Sequence, residues 1–93
     1  MLTQDRGLKF YNNARAYFER KQWDEAIENY DKVISSSNKK LHALAHYNKG
    51  LSLLNSKKIG EGLTSIQQAI AHDSKLKEPG NKVIAEIYRR LRR

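Results

Sequence analysis

His42 and His46 have the clearest spacing for chemistry in the sequence, because residues four positions apart share one face of a helix. Two imidazoles at that spacing can chelate a metal ion such as Zn²⁺. No third ligand lies nearby in the sequence, and the chain contains no cysteine. We therefore expect packed or surface histidines here, and neither a metal nor another cofactor. We expect His72, at a helix end, to be exposed or to interact with the helix dipole.

A glycine-containing segment and two aspartates are the remaining candidates for phosphate binding or catalysis. Gly60-Glu61-Gly62 lacks the longer glycine spacing and the following Lys-Ser/Thr of a phosphate-binding loop. Nothing in the sequence positions Asp24 or Asp73 against a nucleophile and a histidine. We therefore expect that the chain is not an enzyme.

The basic residues are concentrated in the second part of the chain. The 93 residues contain 18 Lys+Arg and 10 Asp+Glu, a formal net charge of +8. Residues 1–40 contribute +2 and residues 41–93 contribute +6. The sequence ends in a cluster of Arg89, Arg90, Arg92 and Arg93, which could bind phosphate, anionic lipid or an acidic peptide. A solvated helix end is the favoured interpretation, since cations are stabilised at the C-terminus of a helix.

The composition indicates one small globular domain comprising residues 1–93. Hydrophobic residues make up 39% and charged residues 30%, which is too apolar for a disordered chain and too polar for a membrane protein. No apolar stretch approaches the roughly 20 residues of a transmembrane span, and none near the N-terminus is typical of a signal peptide. Together with the absence of cysteine, these features lead us to expect a cytoplasmic location.

Apolar residues recur every three or four positions along the whole chain, which predicts five helices. The first is expected from about Thr3 to Arg20, and the next three over about 23–34, 41–55 and 59–72. Pro79 and Gly80 are expected to separate the fourth helix from a fifth, basic helix. No stretch alternates with the period of a β-strand. The sequence therefore predicts an all-α fold.

The sequence also contains an internal repeat with a spacing of 36 residues. Small residues correspond to small residues and large apolar residues to large ones, as in a solenoid of helical hairpins. We expect Trp23 to pack between successive hairpins. The corresponding pairs are Ala14 and Gly50, Tyr17 and Leu53, Trp23 and Ile59, Ala26 and Gly62, Tyr30 and Ile66, and Val33 and Ala69.

The first copy of this repeat resembles the tetratricopeptide repeat (TPR) family. Its small residue, aromatic, alanine and second aromatic are Ala14, Tyr17, Ala26 and Tyr30. The second copy matches more loosely, with Gly62 in place of the usual alanine. The resemblance implies a right-handed α-α superhelix of helical hairpins. Repeat 1 would span about 7–40, repeat 2 about 43–76, and a capping helix about 79–93.

The resemblance also implies a function, since the first helix of each hairpin in this family lines a concave groove that binds peptides. The face mapped in this way includes Leu8 and Leu44. Apolar and aromatic side chains around polar ones are typical of such a surface. The candidate groove residues are Tyr11, Arg15, Phe18, Tyr47, Asn48, Leu51, Lys82 and Tyr88.

We therefore expect a protein-protein interaction module, such as a scaffold, adaptor or co-chaperone, whose partner is a protein or peptide. The subclass that grips the C-terminal carboxylate of heat-shock chaperones is not assigned, because Asn48 alone matches its pattern clearly. Binding of nucleic acid or an anionic membrane by the basic residues is the alternative. It is less favoured, because only Tyr88 lies among those residues as a stacking aromatic. Self-association through the ends of a short array also stays open.

Overall fold

The computed structural model describes residues 5–92 of the chain. These residues form five α-helices and no β-strand, which confirms the prediction of an all-α fold. Short 3-10 turns at Lys39–Leu41 and Ser74–Leu76 precede the third and fifth helices. The helices are α1 (Arg6–Glu19), α2 (Trp23–Ile34), α3 (His42–Asn55), α4 (Ile59–His72) and α5 (Lys77–Leu91).

Each helix packs against the helix that follows it. The helices α1 and α2 form one hairpin, α3 and α4 form a second, and α5 packs against α4. Contacts between α2 and α3 join the two hairpins. The molecule is elongated, with extents of 56 × 28 × 17 Å, as expected for elements arranged in a row. No helix within residues 5–92 combines the length and the apolar character needed to cross a membrane.

The helix α1 begins at Arg6 because Asp5 caps its N-terminus. One carboxylate oxygen of Asp5 accepts a 3.0 Å hydrogen bond from the backbone N–H of Leu8. The other oxygen accepts a 2.7 Å hydrogen bond from the side-chain amide of Asn38, which ties the start of α1 to the connection between the hairpins. The helix start predicted near Thr3 lies outside the described residues.

The helix α5 begins earlier than its sequence predicts. Its first residue is Lys77, so Pro79 and Gly80 lie inside the helix rather than before it. Proline is tolerated in the first turn because the N–H that it lacks would have no acceptor within the helix. The fifth helix therefore begins two residues before the start of the predicted capping helix of about 79–93.

The two hairpins are closed by the same kind of turn. Lys21 has a φ of 61° and Lys57 a φ of 70°, so both adopt the left-handed conformation, and they lie 36 positions apart. In each turn the next residue donates a 2.9 Å hydrogen bond from its N–H to a carbonyl oxygen of the first helix, at Tyr17 or Leu53. The helices α1 and α3 also begin and end 36 positions apart. The repeat seen in the sequence is therefore present in the backbone.

A buried cluster joins α1, α2 and α3. Ala14, Ala26 and Ala45 are fully buried, and small side chains at these positions let the three helices approach closely. Tyr30 and Val33 of α2 fill the space around them. Burial raises the pKa of Tyr30 far above its usual value, so its hydroxyl stays neutral.

The aromatic contact of Trp23 lies within the first hairpin, whereas the repeat predicts one between hairpins. The Trp23 side chain is half-buried, and its ring centroid lies 5.2 Å from that of Phe18 in a T-shaped arrangement. The two residues flank the turn that connects α1 to α2. Trp23 therefore packs at the turn end of its own hairpin.

The helices α3 and α4 approach each other at two glycines. A Cβ atom on Gly50 would lie 3.0 Å from the carbonyl oxygen of Gly62 and 2.8 Å from Cδ1 of Ile66. A Cβ atom on Gly62 would lie 3.1 Å from the carbonyl oxygen of Gly50 and 2.7 Å from Cγ of Leu54. Alanine occupies both corresponding positions in the first hairpin. The second hairpin therefore depends on glycine where the first accommodates a methyl group.

The helix α5 covers α4 most closely near its own N-terminal end. Gly80 is buried, and a Cβ atom there would lie 2.8 Å from Cδ1 of Ile70 and 3.3 Å from Cγ2 of Ile66. Val83, Ile84 and Ile87 in the middle of α5 are half-buried, and Leu91 near its end is 59% exposed. Burial therefore falls along α5 toward its C-terminus.

Candidate functional site

The exposed large apolar side chains of α1 and α3 lie at corresponding positions of the repeat. Leu8 is 45% exposed and Leu44 is 41% exposed. A tyrosine and an asparagine follow each leucine at the same spacing, so Leu-x-x-Tyr-Asn occurs in both helices. We call the surface that carries these two motifs the α1–α3 face. It comprises Leu8, Tyr11, Asn12 and Arg15 of α1 and Leu44, Tyr47, Asn48 and Leu51 of α3.

A direct polar contact connects the two helices of this face. The side-chain amide of Asn48 donates a 3.3 Å hydrogen bond to the hydroxyl of Tyr11. The Tyr11 ring is held from the other side by Tyr30, whose ring centroid lies 5.9 Å away in a T-shaped arrangement. An asparagine amide has two donors and an acceptor, so this bond uses only part of its capacity. The Asn48 amide therefore keeps hydrogen-bonding capacity beyond its bond to Tyr11.

The other candidate residues of the face differ in how accessible they are. Tyr47 and Leu51 are half-buried, so part of each side chain is accessible to solvent. Arg15 is exposed, and its Nη2 lies 3.9 Å from a carboxylate oxygen of Glu19. An exposed pair at this distance contributes little to stability, so Arg15 can exchange Glu19 for a carboxylate of a ligand.

The other three residues predicted for the groove lie at the turn of the first hairpin or on α5. Phe18 is half-buried and packs against Trp23 at the turn of the first hairpin. Lys82 lies on α5 at the position that corresponds to Tyr47 of α3. Tyr88 corresponds to the buried Leu53, on the side of the helix that in α3 faces α4.

Leu8 and Leu44 are missing from the candidate residues predicted from the sequence, although the mapped face includes them. Their exposure makes them the strongest apolar contacts that the face offers. The recurrence of Leu-x-x-Tyr-Asn after 36 residues is the signal that identifies them.

All three histidines of the chain come together where α3 begins and α4 ends. The ring centroid of His72 lies 5.0 Å from that of His46, with the rings stacked, and 6.4 Å from that of His42. His46 is 9% exposed, and its Nδ1 has no hydrogen-bond partner among the described residues. Burial lowers the pKa of His46, and the neighbouring His72 and Lys49 lower it further. No group of three or more His, Cys, Asp or Glu within residues 5–92 is arranged to hold a metal ion.

Part of the arginine cluster is already paired within α5. The Glu86 carboxylate accepts hydrogen bonds from Arg89, the shortest of 2.6 Å, and one of 3.0 Å from Arg90. These bonds lower the pKa of Glu86. Arg92 is exposed, and Arg93 lies outside the described residues. The cluster therefore presents less free positive charge than the sequence suggests.

Comparison of the chain with protein-family models, with curated proteins and with solved structures finds no match in any of the three. The candidate site therefore rests on its own geometry.

Proposed function

We propose that the chain is a protein-protein interaction module of the TPR type, and that its α1–α3 face binds a peptide segment or a helix of a partner protein. The observation that carries this proposal is the pair of exposed leucines at corresponding positions, each followed by tyrosine and asparagine. In this proposal the helices follow a right-handed superhelix, and the α1–α3 face is its concave side.

The recurrence of the backbone supports the TPR interpretation. The bounds of the first helix, the start of the second helix, the left-handed turn residue and the buried small residues of each hairpin repeat after 36 positions. Because the face carries two equivalent leucines, we expect a ligand with two apolar side chains, one that contacts Leu8 and another that contacts Leu44. Large apolar side chains left exposed on a protein surface are typical of interaction sites.

The polar residues of the face define the rest of the ligand. The Asn48 amide can both donate to and accept from a peptide backbone. The guanidinium of Arg15 offers a fork of donors for a carboxylate. We therefore expect a ligand with two apolar side chains and an acidic group near the end that contacts Arg15.

Peptides selected from a displayed random library against the chain would test this proposal. We expect the double variant Leu8→Ser/Leu44→Ser to bind the selected peptides at least tenfold more weakly, because both substituted side chains are exposed apolar contacts of the face. Leu91→Ser is the matched control, since Leu91 is an exposed leucine outside the face. Equal losses in the double variant and the control would contradict the proposal.

The basic-surface alternative makes a different prediction in the same assay. Exposed arginines steer association more than they determine affinity, so changing all four residues of the arginine cluster to glutamine should mainly reduce the salt dependence of binding. If that variant abolished binding while Tyr47→Ala/Asn48→Ala bound normally, the basic-surface function would replace the proposed one.

A further inference from the structure

The helices α3 and α5 begin in the same way, directly after a short 3-10 turn. A 3-10 turn precedes each helix, and α5 begins at Lys77, 35 positions after α3 begins at His42. The turns themselves, starting at Lys39 and Ser74, are also 35 positions apart. Each residue of α5 can therefore be compared with the residue of α3 that lies 35 positions earlier.

The helix α3 has one side for the helix before it and another for the helix after it. Toward α2, Ala45 joins the buried cluster and Lys49 forms a 2.6 Å ion pair with Asp31. Toward α4, Gly50 packs against Ile66 and Leu53 is buried. Two separate stripes of α3 therefore meet two separate helices.

The same comparison divides the surface of α5. Gly80 and Ile84 correspond to Ala45 and Lys49, and Gly80 does pack against the preceding helix α4. Ala85 and Tyr88 correspond to the other stripe, which in α3 meets the following helix. Both are exposed, Tyr88 by 50%. This stripe of α5 is therefore exposed at the two positions that are buried in α3.

A small residue followed three positions later by a large one occurs on this stripe in α1, α3 and α5. The pairs are Ala14 with Tyr17, Gly50 with Leu53, and Ala85 with Tyr88. In α1 and α3 this spacing accommodates the second helix of a hairpin. A shallow depression of about 560 Å³ lies on the same side of α5. Its lining is Ser74, Lys75, Lys77, Glu78, Asn81, Lys82 and Ala85.

The positive charge of α5 favours an acidic helix as the one that packs on this stripe. The depression is lined by three lysines and one glutamate, and α5 with Arg92 holds five basic and two acidic residues, a net charge of +3. A second copy of α5 would therefore be repelled. The helix α2, which packs against this stripe of α1, holds four acidic residues and one lysine, a net charge of −3.

We propose that α5 binds an acidic amphipathic helix of a partner protein along Asn81, Ala85 and Tyr88. That helix occupies the place on α5 that α2 occupies on α1. Its small residue packs against Ala85, an apolar side chain packs against Tyr88, and its carboxylates face the lysines of the depression.

The test uses an acetylated and amidated peptide of residues 22–35, which is the chain's own α2 with its caps, added to the full chain. Amide chemical shifts measured by NMR should change at Asn81, Ala85 and Tyr88 and leave the α1–α3 face unaffected. Tyr88→Ala and Ala85→Glu should each weaken binding at least tenfold, and Tyr88→Phe should retain it. Unchanged shifts and melting of the free variants show that they fold.

A neutral peptide with amides in place of its four carboxylates is the control and should bind at least tenfold more weakly. Leu8→Ser/Leu44→Ser should not alter binding, so this test is independent of the proposed function. Several results would overturn the proposal: no binding, shifts confined to α1 or to the α1–α3 face, or equal binding of the neutral peptide. A dimer of the chain that Tyr88→Ala abolishes would identify a second copy as the occupant instead.

Discussion

Replacing Gly62 with alanine tests the close approach of α3 and α4. The added Cβ atom would lie 2.7 Å from both Cγ and Cδ2 of Leu54 and 3.1 Å from the carbonyl oxygen of Gly50. Cγ is the branch point of the leucine, and the carbonyl belongs to the backbone of α3, so neither atom can move far unless the helices separate. Overpacking of this kind costs about 1–3 kcal/mol.

Gly60→Ala is the matched control, because Gly60 lies in the same helix and a Cβ atom there meets nothing within 4 Å. Alanine favours a helix over glycine by about 0.5–1 kcal/mol, so this variant should gain up to that amount of stability. The same gain offsets part of the cost at Gly62, where the net loss should be about 0–2.5 kcal/mol. The difference between the two variants, about 1–3 kcal/mol, isolates the steric cost.

Urea denaturation followed by circular dichroism gives the free energy of unfolding of both variants and of the natural chain. Equal slopes against urea concentration would show that the comparison reports on stability alone. If Gly62→Ala were as stable as Gly60→Ala, the two helices would not be in close contact at Gly62, and the account of the second hairpin would be refuted.

Two further predictions concern single side chains. Because burial lowers the pKa of His46 in the folded chain, the unfolded chain binds a proton first as the pH falls below about 6.5. The free energy of unfolding should therefore decrease with falling pH, by at most about 1.4 kcal/mol per pH unit for this group. Urea denaturation over a pH series should give a smaller slope for His46→Phe than for the natural chain, and equal slopes would contradict the assignment. Trp23→Ala should lower the free energy of unfolding by about 2–3 kcal/mol in the same assay, less than the cost for a fully buried aromatic, because Trp23 is half-buried. A loss below about 1 kcal/mol would show that its contact with Phe18 contributes little.

The helices could be predicted from the sequence because their apolar period is regular. The bounds of α2 and α4 follow from the pattern that begins at Trp23 and Ile59 and ends at polar residues. The start of α5 could not be predicted in this way, because Pro79 is a helix breaker everywhere except in the first turn.

The candidate site could be predicted only in part. The positions of Tyr11 and Asn48 follow from the repeat, but the hydrogen bond between them depends on how α2 separates the two helices. The groove assignment pairs Tyr88 with Leu54. The starts of α3 and α5 are 35 positions apart, which pairs Tyr88 with Leu53. One residue rotates a helix position by about 100°, so a small difference in the connection moves a side chain to another face.

The histidine cluster depends on tertiary structure as well. His72 lies on α4 and the other two histidines on α3, so only the antiparallel pairing of these helices brings the three rings together. The spacing of His42 and His46 places them on one helix face, but it could not predict that the third ring stacks on His46.

The decline of burial along α5 has a consequence for folding. Each helix packs mainly against its neighbours in the chain, so the free energy of unfolding is approximately a sum of contributions from adjacent helices. A terminal helix can therefore open while the other helices stay folded. The C-terminal half of α5, with Leu91 largely exposed, loses little packing when it opens. A partner that binds there must hold this segment in its helical form. The conformational entropy that the segment loses makes the free energy of binding less favourable.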